Sequence, residues 1–225
     1  MDDIKIDRII RSKRRTFSIE INPKGLLTIR APLRASNGEI KNIIKDKYDW
    51  IKKKKKEISK KMAQKKKRHY VNGEKFECLG KEYTLILKDN HKFAFSTSQD
   101  KLILNSNYQK VARNLLIYWY KNQALKYITR RASHFAEIMN TNFNRINITG
   151  ANTRWGSCSN NKNLNFSWKL ILAPKQIVDY VIVHELSHLF EMSHSKKFWN
   201  RVAQVLPNYM IYETWLKENG HLLDL

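Results

Sequence analysis

The sequence predicts an α+β fold, on three observations. Apolar residues alternate with polar ones over residues 17–31, the period of half-buried strands, and residues 82–104 and 146–172 read as short strands between breaks and turns. Helical periodicity marks residues 40–62 and 109–140. A further helix, apolar nearly all round, follows Pro174 and carries His184-Glu185-Leu186-Ser187-His188.

The elements follow in order. Phe17, Ile19 and Ile21 alternate, Asn22-Pro23-Lys24-Gly25 signals a turn, and Leu27, Ile29 and Ala31 alternate after it, so a β-hairpin is expected. Ser36 and Glu39 have capping-box spacing ahead of a long helix. Its apolar face is Ile40, Ile44, Tyr48, Ile51, Ile58 and Met62. The other face is basic, with Lys52 to Lys56 consecutive, then Lys60, Lys61 and Lys65 to Arg68. Residues 70–105 read as short strands, chiefly Glu82–Leu87 and Lys101–Leu104, broken at Gly80 and near Asp89-Asn90. The helix over 109–140 is expected to bury Val111, Leu115, Tyr118, Trp119, Leu125 and Ile128. Two strands are expected around a polar turn, the first at Ile146 and Ile148 and the second over Leu164–Leu172. Asn105-Ser106-Asn107 breaks the pattern, which divides the chain into a β-rich region with a basic helix (1–105) and a second domain (106–225).

The chain has 225 residues, a hydrophobic content of 42% and a formal net charge of +23. Such a charge attracts polyanions, so nucleic acid is a candidate partner, although a lysine run also serves simply as a solvated helix face. No apolar run reaches the ~18 residues of a membrane span, so no membrane partner is expected. Met1-Asp2-Asp3-Ile4-Lys5 lacks the apolar stretch of a secretory signal, and two cysteines are too few for a disulfide framework. A cytoplasmic location is expected.

His184 and His188, at i and i+4, share one helix face, and Glu185 is placed to act on a water between them and a substrate. Two histidines and a glutamate on a buried helix are costly to desolvate unless a cation partners them. His194 is the expected third ligand, with Glu191 and Glu213 as acidic competitors. No glycine lies between His188 and His194 to turn the chain. Neutral imidazoles suit one Zn2+ ion first, with other divalent metals acceptable. The ion would lower the pKa of water to about 7, and Glu185 would take the proton and pass it to the leaving amine. Asp179 is a candidate to orient a ligand histidine, or a helix N-terminal acid. Arg154, Tyr209 and Tyr212 are oxyanion candidates by chemistry alone. His69, His91, His134 and His221 read as ordinary. A rival reading makes Cys158 a nucleophile, with Arg154 lowering its thiol pKa; a structural turn that packs Trp155 is the favoured alternative.

The chain resembles the YgjP-like metallopeptidase family, itself related to SprT-like and other zincin proteases. The residues that carry the resemblance are Thr153-Arg154-Trp155-Gly156-Ser157-Cys158, Leu164 with Trp168, Pro174, Tyr180-Val181, His184 to His188, His194-Ser195 and Phe198-Trp199. The resemblance implies a zincin-like C-terminal metallopeptidase domain with a small β-rich N-terminal region. It also implies His184, His188 and His194 as metal ligands, Glu185 as catalytic acid/base, and an antiparallel edge strand, here Leu164–Trp168, that holds an extended peptide. The leading expectation is a zinc-dependent peptide-bond hydrolase acting on peptide or protein. The alternative is a nucleic-acid-binding protein with a structural or vestigial metal site.

Overall fold

The computed structural model describes residues 4–22, 24–64 and 67–225. Pro23, Lys65 and Lys66, and Met1 to Asp3, named above, lie outside the described residues. The chain forms two compact units, residues 1–66 and 67–225. The strands just before residue 106 share one core with the helix after it.

In the first unit the hairpin forms as expected. Strands β2 (Ser18–Ile21) and β3 (Leu27–Pro32) pair antiparallel. Asn22 Oδ1 accepts from Lys24 N–H and Leu26 N–H at 2.9 and 3.0 Å, and Gly25 takes φ +79°, a value that favours glycine. A strand not predicted from the sequence, β1 (Arg8–Ser12), adds parallel to β3. Ile29, Ala31, Ala35 and Ile40 form the core, with Ile6, Phe17 and Ile44 against it. The long basic helix is two helices, α1 (Asn37–Asp46) and α2 (Tyr48–Ala63), separated at Lys47. The capping box is complete. Ser36 Oγ accepts from Glu39 N–H at 3.2 Å, and Glu39 Oε2 accepts from Ser36 N–H at 2.7 Å. Of the expected apolar face only Ile40 and Ile51 are fully buried, and Met62 is exposed. Lys52, Lys53, Lys56 and Lys60 are exposed on α2, while Lys54 and Lys61 share Glu57 at 3.0 and 3.2 Å.

The second unit holds two sheets and four helices. Strands β4 (Lys75–Cys78), β5 (Lys81–Lys88), β6 (Phe95–Ser98) and β7 (Lys101–Asn105) form a sheet in the order β4-β5-β7-β6. Leu79 and Gly80, at φ +55° and +75°, make the tight turn between β4 and β5. Helix α3 (Ala112–Ile138) buries Ala112, Leu116, Tyr120, Ala124, Ile128, Ala132 and Ala136, an i+4 ridge rich in alanine. The expected stripe is met in part: Ile128 is buried and Leu115 and Trp119 pack against the core, whereas Val111, Tyr118 and Leu125 are exposed. The buried face mixes four alanines, whose small side chains let neighbouring elements approach, with the rings of Tyr120, Tyr127 and Phe135. Tyr120 O–H donates to Glu77 O at 2.9 Å, tying α3 to β4.

Strands β8 (Arg145–Thr149), β9 (Gly156–Cys158) and β10 (Asn163–Ser167) form the second sheet, ordered β8-β10-β9. The residues expected as a polar turn thus contain β9, and Trp168–Leu172 is a 3-10 turn and not strand. Leu164–Trp168 is not an edge. Strand β10 pairs with β8 on one side and β9 on the other, and the edge beside the histidine helix is β9. Helix α4 (Lys175–Ser187) starts after Pro174 and is buried on nearly every side. Helices α5 (Lys196–Val205) and α6 (Tyr209–Asn219), not predicted from the sequence, pack against it. Among the described residues no helix is long and apolar enough to cross a membrane.

Candidate metal centre

Helix α4 presents His184 and His188 one turn apart, and its last turn tightens through Leu189 N–H to Leu186 O (3.0 Å) and Phe190 N–H to Ser187 O (3.1 Å). Glu191 then shapes the bend: its Oε1 accepts from Ser193 Oγ at 2.7 Å and from Ser193 N–H at 3.3 Å. Ser195 caps α5, accepting from Phe198 N–H at 3.4 Å. This is how the chain turns without a glycine, and it brings His194 back to the helix.

Three imidazoles result, with one ligand atom each all within 4.8 Å of one another. The ring centroids form a near-equilateral triangle: 5.0 Å for His184–His188, 4.9 Å for His184–His194 and 4.9 Å for His188–His194. The fully buried Phe198 ring stands 4.9, 4.6 and 4.8 Å from His184, His188 and His194. It is a common apolar wall for all three. Trp199 stacks on His194 at 5.8 Å and 25°, and Tyr209 stacks on Trp199 at 5.2 Å and 16°. The sequence marks Phe198 and Trp199 only through family resemblance. Their contact with the imidazoles depends on the bend and has no local signal.

The donor set fits a divalent cation. His188 Nδ1–H donates to Glu191 O at 3.2 Å, which leaves Nε2 with a free lone pair. Nε2 of His184 and Nε2 of His194 face each other at 3.0 Å. The buried Nδ1 of His184 and Oε2 of Glu185 lack hydrogen-bond partners among the described residues. Buried polar atoms rarely stay so. Burial, with the neighbouring imidazoles of His188 and His194, pushes His184 down to about 3, so its ring is neutral as a ligand requires. Burial chiefly, and His194 to a smaller degree, lower His188 against the pull of the Glu191 carbonyl.

Glu185 is 5% exposed, and burial pushes its carboxyl up to about 8, with the positive charge of Arg154 acting against the rise. The backbone of Gly156, on β9, passes directly against it. The acidic competitors of His194 are engaged elsewhere: Glu191 in the bend, Glu213 with Lys217 at 2.7 Å. Asp179 does not orient a histidine. Arg131 donates to it twice, at 3.0 and 2.8 Å, and Tyr127 O–H once, at 3.2 Å, which clamps α3 to α4. Tyr212 packs against Tyr180, whose ring lies 6.0 Å from that of His184. Cys158 does not have the depressed pKa its rival role needs. Burial, then the charge of Glu185, raises its thiol.

A family model described as "YgjP-like, metallopeptidase domain" matches residues 15–219. Among curated proteins none matches the chain. Two solved structures that match are metallopeptidase zymogens. Abylysin of Pyrococcus abyssi is 17% identical over 40% of this chain and 93% of its own, with a TM-score of 0.38. Jannalysin of Methanocaldococcus jannaschii is 20% identical over 40% of this chain and 94% of its own, with a TM-score of 0.37. Because the family match takes in most of both units and every residue of the histidine triangle, the chain belongs to the YgjP-like metallopeptidase family.

Proposed function

We propose that this protein is a zincin-like, zinc-dependent peptidase, with His184, His188 and His194 holding one ion and Glu185 carrying protons. The observation that carries the reading is the triangle of imidazole nitrogens beside a buried carboxylate oxygen without a partner. An ion held there supplies a Lewis acid that acidifies water and polarises a peptide carbonyl. The chain's own residues do the rest. Glu185 takes a proton at Oε2 and returns it to the leaving amine. Phe198 keeps water from one side of the imidazoles, and His194, which is exposed, leaves the other side open to substrate. The edge of β9, beside Glu185, is where an extended peptide would pair. Both cysteines are free thiols, in keeping with a reducing cytoplasmic setting.

The test is elemental analysis of the purified chain together with peptide hydrolysis by the wild type and by Glu185→Gln. One bound zinc per chain and loss of turnover in Glu185→Gln are expected. Full activity in Glu185→Gln would refute the proton-carrier role.

One observation favours a second reading, a nucleic-acid-binding protein whose metal is structural. Residues 1–66 carry 21 Lys and Arg against 8 Asp and Glu. On that reading DNA or RNA affinity falls steeply with salt and hydrolysis is absent. A weak salt dependence would remove it.

A further inference from the structure

A cavity of about 300 Å³ opens beside the catalytic carboxylate. Gly156 forms part of its wall, and a Cβ at that position would lie 2.5 Å from Glu185 Oε1, so cavity and carboxylate share one strand of backbone. The other polar lining residues are Thr149, Thr153, Arg154, Ser157, Asn165 and Ser167, and none of the nine residues that line the cavity is acidic.

The hydrogen bonds around this cavity are one-sided. Ser167 O–H donates to Ala151 O at 2.9 Å, and Thr149 O–H donates to Phe166 O at 3.4 Å. Asn147 Nδ2–H donates to Asn165 Oδ1 at 2.9 Å, and Asn165 Nδ2–H donates to Ser157 Oγ at 3.2 Å. Those groups are used up within the protein. The hydroxyl protons of Ser157 and Thr153 are not, and the exposed Arg154 guanidinium, whose charge is felt by the Glu185 carboxyl, makes no ion pair or hydrogen bond among the described residues. What remains on offer is a positive fork and two O–H donors, a set that matches an anion with two acceptor oxygens.

We infer that this cavity binds a carboxylate of the peptide substrate, with Arg154 as its anchor and the hydroxyls of Thr153 and Ser157 as further donors. The inference rests on the peptidase reading for the identity of the ligand. The carboxylate belongs either to an acidic side chain or to the C-terminus of the peptide. An extended peptide paired along β9 passes both Glu185 and the cavity, so recognition of the carboxylate sets which bond is cut. Arg154 is here a specificity residue for peptides.

The experiment uses the full chain carrying Glu185→Gln, so that binding is read without turnover. Fluorescein-labelled neutral peptides are compared by anisotropy at physiological ionic strength. One series carries a single Glu at each position in turn, matched by Gln at the same position. Another has a free or an amidated C-terminus. Binding tighter by about tenfold for Glu at one position assigns the site to an acidic side chain. The same gain for the free terminus over the amide assigns it to a chain end. Either preference should vanish in Arg154→Gln and persist in Arg154→Lys. Equal binding across the series, or a preference that survives Arg154→Gln, overturns the inference, the latter by showing that the general positive charge of the protein is responsible. Thr153→Val, which keeps the guanidinium, should weaken the preference in part, and guards against misfolding of the Arg154 variants. Cleavage of the same peptides by the wild type tests the peptidase reading separately: a carboxylate preference without any cleavage leaves the cavity's role standing and removes only the reaction.

Discussion

A Cβ at Gly156 would lie 2.5 Å from Oε1 of Glu185 and 2.6 Å from its Cγ. No side chain fits between the edge strand and the acid of the histidine helix. Glycine at 156 is therefore a spacing requirement, since φ there is ordinary and carries no demand of its own.

Gly156→Ala should accordingly push the Glu185 carboxylate aside while leaving the three histidines in place. The expected outcome is metal content unchanged by elemental analysis and turnover lower by roughly 100-fold, the size of effect that follows a displacement of about 1 Å in a catalytic group. Loss of metal along with turnover would mean that the strand supports the histidines themselves.

Phe198→Leu removes a ring that stands within 5.0 Å of all three imidazole centroids while keeping an apolar side chain of similar bulk. If the histidines hold zinc as proposed, its affinity, measured by competition with a chromophoric chelator, should fall, because the ring packs against all three imidazoles and limits their orientation. Thermal stability of the metal-free chain should change far less. Unchanged affinity would reduce Phe198 to ordinary core.

If the three histidines hold an ion as proposed, chelation should lower the melting temperature of the wild type, because a ligand that binds only the folded chain stabilises it by mass action. The shift should be absent in His184→Ala. A chelator that acts equally on both would be acting elsewhere on the protein.

The clamp between α3 and α4 makes a different prediction. Arg131→Met takes two donors from Asp179 and leaves a partly buried carboxylate with Tyr127 alone. Hydrogen bonds to charged groups contribute about 1.5–3 kcal/mol, and a loss of that order is expected in urea denaturation. An unchanged midpoint would show that water replaces the guanidinium without cost.

In the first unit, Ser36→Ala deletes the acceptor for Glu39 N–H and should cost about 1 kcal/mol, read from helical circular dichroism of the full chain against denaturant. Glu39→Gln should cost less, because an amide oxygen still reaches Ser36 N–H.

The sequence by itself determined what short stretches of chain decide. The i, i+4 spacing put His184 and His188 on one face, Ser36 and Glu39 closed a capping box, and Asn22 with Gly25 turned the hairpin. Each depends on residues a few positions apart, whose geometry is set by backbone dihedrals. The sequence also placed His194, because its distance from His188 was short enough for any tight bend to return it. Tertiary structure decided the rest. Val111, Tyr118 and Leu125 read as core with Ile128, yet they are exposed while a ridge rich in alanine beside Ile128 is buried, since close packing admits small residues that periodicity alone ranks low. Leu164–Ser167 became the middle of its sheet and Gly156–Cys158 its edge, because strand order is set by pairing partners far apart in the chain. Phe198 beneath the imidazoles, Gly156 against Glu185 and Arg131 on Asp179 arise the same way. Their physical cause is contact between segments that only the folded chain brings together, and no local pattern of residues encodes it.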